Sequence, residues 1–426
     1  MMRDLTALPD ACGIDFGTSN STAGCRAASG PSRVALLPLE DGKVTLPSVV
    51  FFNAEDGHVS YGRAALADYL AGYEGRLMRS LKSLLGTSLI DEQTEVAGRA
   101  VPFRALLAQF IGELKRRAEQ SSGREFSRAV LGRPVFFVDD DVAADRQAES
   151  TLAEIARAVG LKEIAFQYEP IAAAFDYESK IAREELVLVV DIGGGTSDFA
   201  LVRLAPERAA RADRRDDILA SSGVHIGGTD FDKYLSLSSV MPSLGLGSRL
   251  KSGLVLPSAQ YFNLATWHTI NFAYTKKAWS QIGELHREAL EKDKLTRLQN
   301  LVTERAGHWL AMQVEEAKIA LSGTGQTRMS LGRIDPGATL LLQRPDFEAA
   351  ISTLVYTVAH SVAGLLRDSA VRADAVDTVF FTGGSSSVPL LRERIAALLP
   401  QARRVEGDLF GSIGTGLALD ALRKFG

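Results

Sequence analysis

The sequence is poor in cysteine and histidine. Its 426 residues hold two cysteines, Cys12 and Cys25, and six histidines. Two thiols cannot build a disulfide framework. They flank the first glycine motif and could face each other across a hairpin; the reading taken is two reduced, packed thiols. His58, His225, His268, His286, His308 and His360 are scattered, and none stands at metal-ligand spacing with a cysteine or another histidine. Neither sign of charge dominates: 48 Lys and Arg against 52 Asp and Glu leave a net charge of −4. Such a balance gives no electrostatic argument for DNA, RNA or an anionic membrane as a general partner. No apolar run is read as approaching the roughly 20 residues that span a bilayer. The opening MMRDLTALPDA lacks the apolar core of a signal peptide, so the cytoplasm is the default location. Two phosphate-binding signatures are missing as well. There is no Walker A sequence, G-x-x-x-x-G-K-[ST], and no G-x-G-x-x-G after a first strand.

Apolar material is ample: 46% of residues are hydrophobic and 23% charged. These values exclude a largely disordered chain. The length suggests two or three domains at about 150 residues each. The chain then falls into two halves with related openings. The first begins CGIDFGTSNSTAGC, an apolar strand reaching Asp15, a glycine turn, and a second strand. The second begins LVLVVDIGGGTSDFALV, where Leu186 to Val190 lead to Asp191 and another glycine turn. One unusual design repeated about 175 residues later points to two α/β lobes facing a central cleft.

Between the openings, VTLPSVVFF (44–52) reads as a strand and Phe103 to Gln120 as a helix with one apolar face. RAVLGRPVFF is a strand, and Ala143 to Val159 a helix ended by Gly160. EIAFQY is a short strand before the helix that opens on Glu169-Pro170. Ala172 to Ala174 suit close packing against another helix. In the second half, Ser238 to Gln313 reads as a mainly helical insertion. Asp377 to Thr382 is a strand, and helices follow at Pro389 to Leu399 and Gly411 to Leu422. The charge run PERAARADRRDD (206–217) reads as a solvated loop.

Backbone N–H groups reach phosphate oxygens only where no side chain blocks the approach, which favours glycine. Four clusters qualify: Gly17-Thr18-Ser19-Asn20, Gly193-Gly194-Gly195-Thr196, Gly227-Gly228-Thr229-Asp230 and Gly383-Gly384-Ser385. One cluster alone is a plain hairpin; four, two of them after an aspartate at a strand end, point to phosphate. Asp15, Asp191 and Asp198 would repel phosphate unless a cation stands between them. Mg²⁺ suits that place, since it takes a few carboxylates plus retained waters and phosphate oxygens. The plainer alternative is that these aspartates cap turns.

GIDFGTSNS, VVDIGGGTSD, IGGTDFD, EEAKIALS and FFTGGSSSVP resemble, in order, the nucleotide-binding signatures of the DnaK-type chaperones, the heat shock protein 70 family. LPSVVFF and QYEPIAAAFDY match two further segments. The resemblance runs from residue 13 to about 420, with phrasing closest to the short bacterial YegD-type members. It implies a duplicated actin-like (ribonuclease H-like) ATPase fold: a first lobe at 1–185 and a second at 186–426, with a mainly helical insertion at about 232–320. It also implies ATP or ADP with Mg²⁺ in a central cleft. Thr18, Ser19 and Asn20 fall in the first phosphate loop and Gly194 to Thr196 in the second, with Gly17 and Gly193 beside them among the expected nucleotide-binding residues. Gly227, Gly228, Gly383, Gly384, Ser385 and Asp408 fall in the later nucleotide-binding signatures. Lys82 aligns with the lysine that meets the γ-phosphate and attacking water; by itself it reads as an exposed helix lysine. Glu169 aligns with the glutamate that orients water and magnesium; by itself it is a helix cap. Asp15, Asp191 and Asp198 align with the cation-shell aspartates, and Asp191 and Thr196 also with the catalytic set. Glu315 and Lys318 match the residues that hold ribose, and Ser322 shares their helix face.

Two departures qualify the resemblance. Ile319 and Ser387 stand where the family has the arginines that sandwich adenine, so base selectivity is expected to be reduced. The chain also stops about where the family's ATPase region ends, so no peptide-binding domain is expected. The reading is a cytoplasmic, slowly hydrolysing Mg-ATP-binding protein of the chaperone type, with a protein partner recognised in a nucleotide-dependent way. The alternatives are a non-catalytic nucleotide switch and, with no sugar-binding signature found, a sugar-kinase-like phosphotransferase.

Overall fold

The computed structural model describes residues 10–28, 33–96, 98–211 and 213–426. Of the opening MMRDLTALPDA read for a leader, residues 1–9 lie outside the described residues. Contacts divide the chain into two compact units. The first comprises Met1–His225, Val358–Ser386 and Arg392–Gly426; the second comprises Ile226–Thr357 and Ser387–Leu391.

Two large sheets lie in the first unit, beside a three-stranded and a two-stranded one. One is built from β1 (Asp10–Phe16), β2 (Asn20–Arg26), β3 (Val34–Leu36), β4 (Phe126–Arg133) and β5 (Glu163–Tyr168), with the short strand Thr45–Pro47 also paired to β2. The other is built from β6 (Glu185–Ile192), β7 (Ser197–Leu204), β8 (Ile218–Val224), β9 (Thr378–Thr382) and β10 (Arg403–Glu406). Their orders are β5-β4-β1-β2-β3 and β10-β9-β6-β7-β8. In each, the central strand pairs antiparallel with its hairpin partner and parallel with a strand from far along the chain. The repeat expected from the two openings is therefore a repeat of whole sheets. β6 reads LVLVV because it is central: Val187, Leu188, Val189 and Val190 are fully buried, as apolar residues in a sheet covered on both faces are.

Helix Phe103–Ser122 buries Leu106, Leu107, Phe110, Ile111 and Leu114 and stops at Gly123, φ 68°. Helix Val142–Ala158 is capped by Asp141, whose carboxylate accepts from the N–H groups of Ala143 and Ala144. Helix Glu169–Glu178 is buried along its whole length. The alanine run does what its small size allows. A Cβ on Gly416 of the C-terminal helix, Ser412–Phe425, would lie 1.7 Å from the Ala172 carbonyl oxygen, so the two helices touch backbone to backbone.

Three readings change. VTLPSVVFF is two strands, Thr45–Pro47 and Val49–Asn53, broken at Ser48. The run 206–217 is not simply solvated. Arg214 is buried, with a bidentate bond to Glu178 (2.7 Å twice) and an ion pair with Asp217, and it lies over Phe175. Arg423 stacks on the same ring at 4.1 Å. Finally, one helix, Arg344–Asp368, is long and apolar enough to cross a membrane by length and composition, with a mean hydropathy of 1.5. Its buried residues Ile351, Val355, Val358, Val362 and Leu365 form a single stripe, the spacing of a helix with one face against a core.

Cys12 and Cys25 are opposite each other in the β1–β2 register, both buried and both free thiols. Burial raises the pKa of each. The second unit is mainly helical, with helices at Lys276–Glu288, Lys292–Thr303 and Gly307–Gly323 and a hairpin of Gln326–Ser330 with Thr339–Gln343.

Candidate functional site

The two repeated hairpins bring their tips together within the first unit. Gly17 is required by its turn, since a Cβ there would lie 2.1 Å from the Asn20 carbonyl oxygen. A Cβ on Gly194 would lie 2.4 Å from Ser19 Oγ, and one on Gly195 3.0 Å from Thr18 Oγ1. The glycines thus let one tip meet the hydroxyls of the other. Gly193 N–H closes the second turn on the Thr196 carbonyl at 2.9 Å. Gly383 follows β9 with φ 79°, and a Cβ there would lie 2.5 Å from Asp191 Oδ1. The neighbouring Ser385 is buried. Asp408 Oδ1 accepts from Phe410 N–H at 3.1 Å, and its carbonyl accepts from Thr382 Oγ1 at 3.4 Å.

Beneath the tips lies an excess of buried negative charge. Asp15, Glu169, Asp191 and Asp198 are all buried, against one buried cation, Lys82. Lys82 sits in a single 3₁₀ turn, not on an exposed helix, and its ammonium pairs with Glu169 Oε1. Burial works against its charge, but Glu169 and then Asp15 outweigh burial and raise its pKa. Burial, then the neighbouring charge of Glu169, pushes Asp15 up to about 7 despite Lys82. Burial and Glu169 push Asp198 up to about 7 as well. Asp198 Oδ2 accepts from Thr196 Oγ1 and Oδ1 from Val135 N–H, both at 2.6 Å, and these bonds hold it back from rising further. Asp191 faces Asp198 across the β6–β7 ladder and is raised well above the carboxylate range, by burial first and then Glu169. Its Oδ1 is buried without a hydrogen-bond partner among the described residues.

That donor set fits a divalent cation and phosphate. Four buried carboxylates against one ammonium leave charge to neutralise, and an orphaned carboxylate oxygen lies beside a glycine turn whose Cβ would block it. Among the described residues, no group of three or more His, Cys, Asp or Glu is placed to clasp a metal ion directly. Contact through retained waters, the habit of Mg²⁺, is the coordination this arrangement suits.

The remaining expected residues lie in the second unit. Gly227 precedes helix Gly228–Leu235, and its N–H is taken by Asp230 Oδ2 at 3.0 Å. Glu315, Lys318 and Ser322 share helix Gly307–Gly323. Lys318 is buried, pairing with Asp232 Oδ1 at 2.8 Å and donating to the Gly228 carbonyl at 3.2 Å. Ser322 Oγ bonds the Lys318 carbonyl at 3.1 Å. Ile319 is 62% exposed.

Sequence reasoning missed three participants. Ser48 breaks the strand run to bond the first tip, donating to the Gly17 carbonyl at 2.7 Å; the Pro-Ser step inside an apolar run was the available signal. Val135 acts through its backbone N–H, which no residue pattern reveals. Ser80, two residues before Lys82, holds φ 60° and a buried hydroxyl without a hydrogen-bond partner among the described residues.

The family model described as Hsp70 protein matches residues 92–239 and 285–419. A chaperone protein HscA homolog of Shewanella oneidensis is 27% identical over 97% of this chain and 58% of its own length. A chaperone protein DnaK of Mycoplasmoides gallisepticum is 28% identical over 96% of this chain and 60% of its own. The DnaK of Thermosipho africanus is 29% identical over 90% of this chain and 54% of its own. The chain thus spans somewhat over half the length of these relatives. Because the family match takes in strands of both sheets and the helix that opens on Glu169, the chain belongs to the Hsp70 family and has its actin-like, ribonuclease H-like ATPase fold.

Proposed function

We propose that this chain binds ATP and ADP with Mg²⁺ and hydrolyses ATP slowly, as a chaperone-type nucleotide switch. The carrying observation is the buried excess of carboxylates around Lys82 at the meeting of two glycine turns. In this reading the first lobe is 1–185 and the second 186–426, with a helical insertion at about 232–320, and the protein works in the cytoplasm. Its protein partner is recognised in a nucleotide-dependent way.

Phosphoryl transfer to water needs positioning and charge neutralisation more than covalent chemistry. Mg²⁺, when bound, supplies neutralising charge at the phosphates. Asp15, Asp191 and Asp198 would hold its water shell. The N–H groups of Gly17 to Asn20 and Gly193 to Thr196 would hold phosphate oxygens, with hydroxyl donors from Thr18, Ser19 and Thr196. Lys82 would hold charge at the γ-phosphate, and Glu169 and Asp191 would orient the attacking water. Gly227, Gly228, Glu315, Lys318, Ser322, Gly383, Gly384, Ser385 and Asp408 are assigned to the rest of the nucleotide. Lys318 reaches that task only by sharing an ammonium that Asp232 already holds.

Calorimetry of Mg-ADP binding tests the reading. Asp191→Asn should lower the magnesium-dependent part of the affinity by roughly tenfold or more, because one carboxylate leaves the cation's surroundings. Equal magnesium dependence in wild type and variant would overturn the assignment. A second reading, nucleotide binding without turnover, is favoured by the Lys82–Glu169 pair, which keeps the ammonium engaged without phosphate. Single-turnover kinetics separates the two. Hydrolysis that slows on the order of 10²-fold in Lys82→Ala, with ADP affinity nearly unchanged, supports catalysis. No turnover in wild type supports the switch alone.

A further inference from the structure

The Hsp70 family match leaves residues 240–284 uncovered. That segment is rich in exposed aromatics: Phe262 is 47%, Phe272 59% and Trp279 57% exposed. Large exposed apolar side chains grouped on a surface mark interaction sites more often than chance. One of them borders a surface cavity of about 490 Å³ in the second unit, lined by Tyr274, Lys276, Trp279, Val302, Thr303 and Arg305.

The lining has a definite chemistry. Val302 and the rings of Tyr274 and Trp279 give apolar walls. Tyr274 is pinned, because its hydroxyl accepts from Gly307 N–H at 2.8 Å. The charged members are Lys276 and Arg305, and among the described residues no carboxylate lines the cavity. Arg305 adopts φ 46° just past the end of helix Lys292–Thr303. Glycine is the usual occupant of that left-handed position. Trp, Tyr and Arg are also the residue types that dominate the energetics of protein interfaces.

We propose that this cavity is a docking site for an acidic peptide segment of a partner protein. An apolar side chain of the peptide enters between Trp279 and Val302, and its carboxylates lie on Lys276 and Arg305. Charge complementarity carries the choice of occupant: among the described residues, two cations and no anion line the cavity in a chain whose net charge is −4. The site is independent of the nucleotide reading, since none of its residues belongs to that assignment.

Fluorescence anisotropy with three labelled 12-residue peptides tests it: a central leucine flanked by glutamates, the same leucine flanked by lysines, and a central serine flanked by glutamates. The glutamate–leucine peptide should bind at least tenfold more tightly than either control and weaken with added salt. Trp279→Ala should weaken it at least tenfold, while the circular dichroism spectrum and the urea midpoint stay close to wild type and report an intact fold. Lys276→Glu should reduce or reverse the preference for glutamate over lysine flanks. Equal affinity for the three peptides would overturn the proposal, as would a Trp279→Ala variant that binds like wild type. Indole-3-acetate tests the other occupant: binding of this small aromatic anion with no peptide preference would assign the cavity to a metabolite-sized ligand and overturn peptide docking.

Discussion

Asp15 and Asp198 carry their raised pKa values into the stability of the whole chain. Unfolded, each carboxyl titrates near 4; folded, each is pushed up to about 7. Below about pH 4 both states are protonated and the difference contributes nothing. Between about 4 and 7 the folded protein holds protons that the unfolded chain has lost, so stability falls as pH rises through this window. Above about 7 the cost is complete. Denaturant unfolding of the nucleotide-free protein should therefore be less favourable at pH 5.5 than at pH 8, by about 1–4 kcal/mol from these two groups. Asp15→Asn should flatten the profile, and Mg²⁺ with ADP should restore stability at pH 8. A profile that rises from 5.5 to 8 would mean that the carboxylates are compensated by something else. The same residues mark how far the sequence could be read. Asp15 and Asp191 stand at the ends of apolar strands and are visible there. Lys82 is not: its surroundings, LKSLLG, look like any surface helix, and only resemblance singled it out. What makes it functional is Glu169, 87 residues away along the chain and in contact with it in space.

At the scale of elements, the contact between helices Glu169–Glu178 and Ser412–Phe425 is the most constrained. Gly416→Ala has nowhere to put its methyl group, since the Ala172 carbonyl oxygen is 1.7 Å from the Cβ position. The helices must separate, and overpacking of that kind costs about 1–3 kcal/mol or more. A matched control is Gly112→Ala in helix Phe103–Ser122, whose nearest neighbour is a Val159 methyl at 3.4 Å. Alanine there should be neutral or stabilising by up to about 1 kcal/mol. Urea midpoints for the two variants should move in opposite directions or, at the least, only the first should fall. Helices and strands with a clear period were legible: the apolar face of Phe103–Ser122, the Glu169-Pro170 start and the short strand before it. The clasp at 206–217 was not. Its arginines look solvated until Glu178 and Phe175 are brought beside Arg214, and the pairing is set by tertiary contact, not local pattern. The apolar stretch 349–366 is hidden in the sequence by its serines, threonines and histidine, which break up the hydrophobic run without adding a carboxylate, lysine or arginine.

The whole molecule repeats one sheet order, but the two copies are threaded differently. In the first sheet, β1 waits for β4, Phe126–Arg133; in the second, β6 waits for β9 and β10, which end only at Glu406. Closing the longer loop costs little more entropy, yet non-local pairing slows folding. Pulse-labelled hydrogen exchange during refolding should therefore find β1, β2 and β4 protected before β6 and β9; simultaneous protection would contradict it. The longer wait has a consequence during synthesis. At about 5–20 residues per second, the roughly 190 residues between β6 and β9 take on the order of 10–40 s to emerge. Throughout that interval the ribosome carries a valine- and leucine-rich strand with one edge unpaired, an invitation to aggregate. A chain whose relatives are named as chaperones is, for those seconds, in need of one.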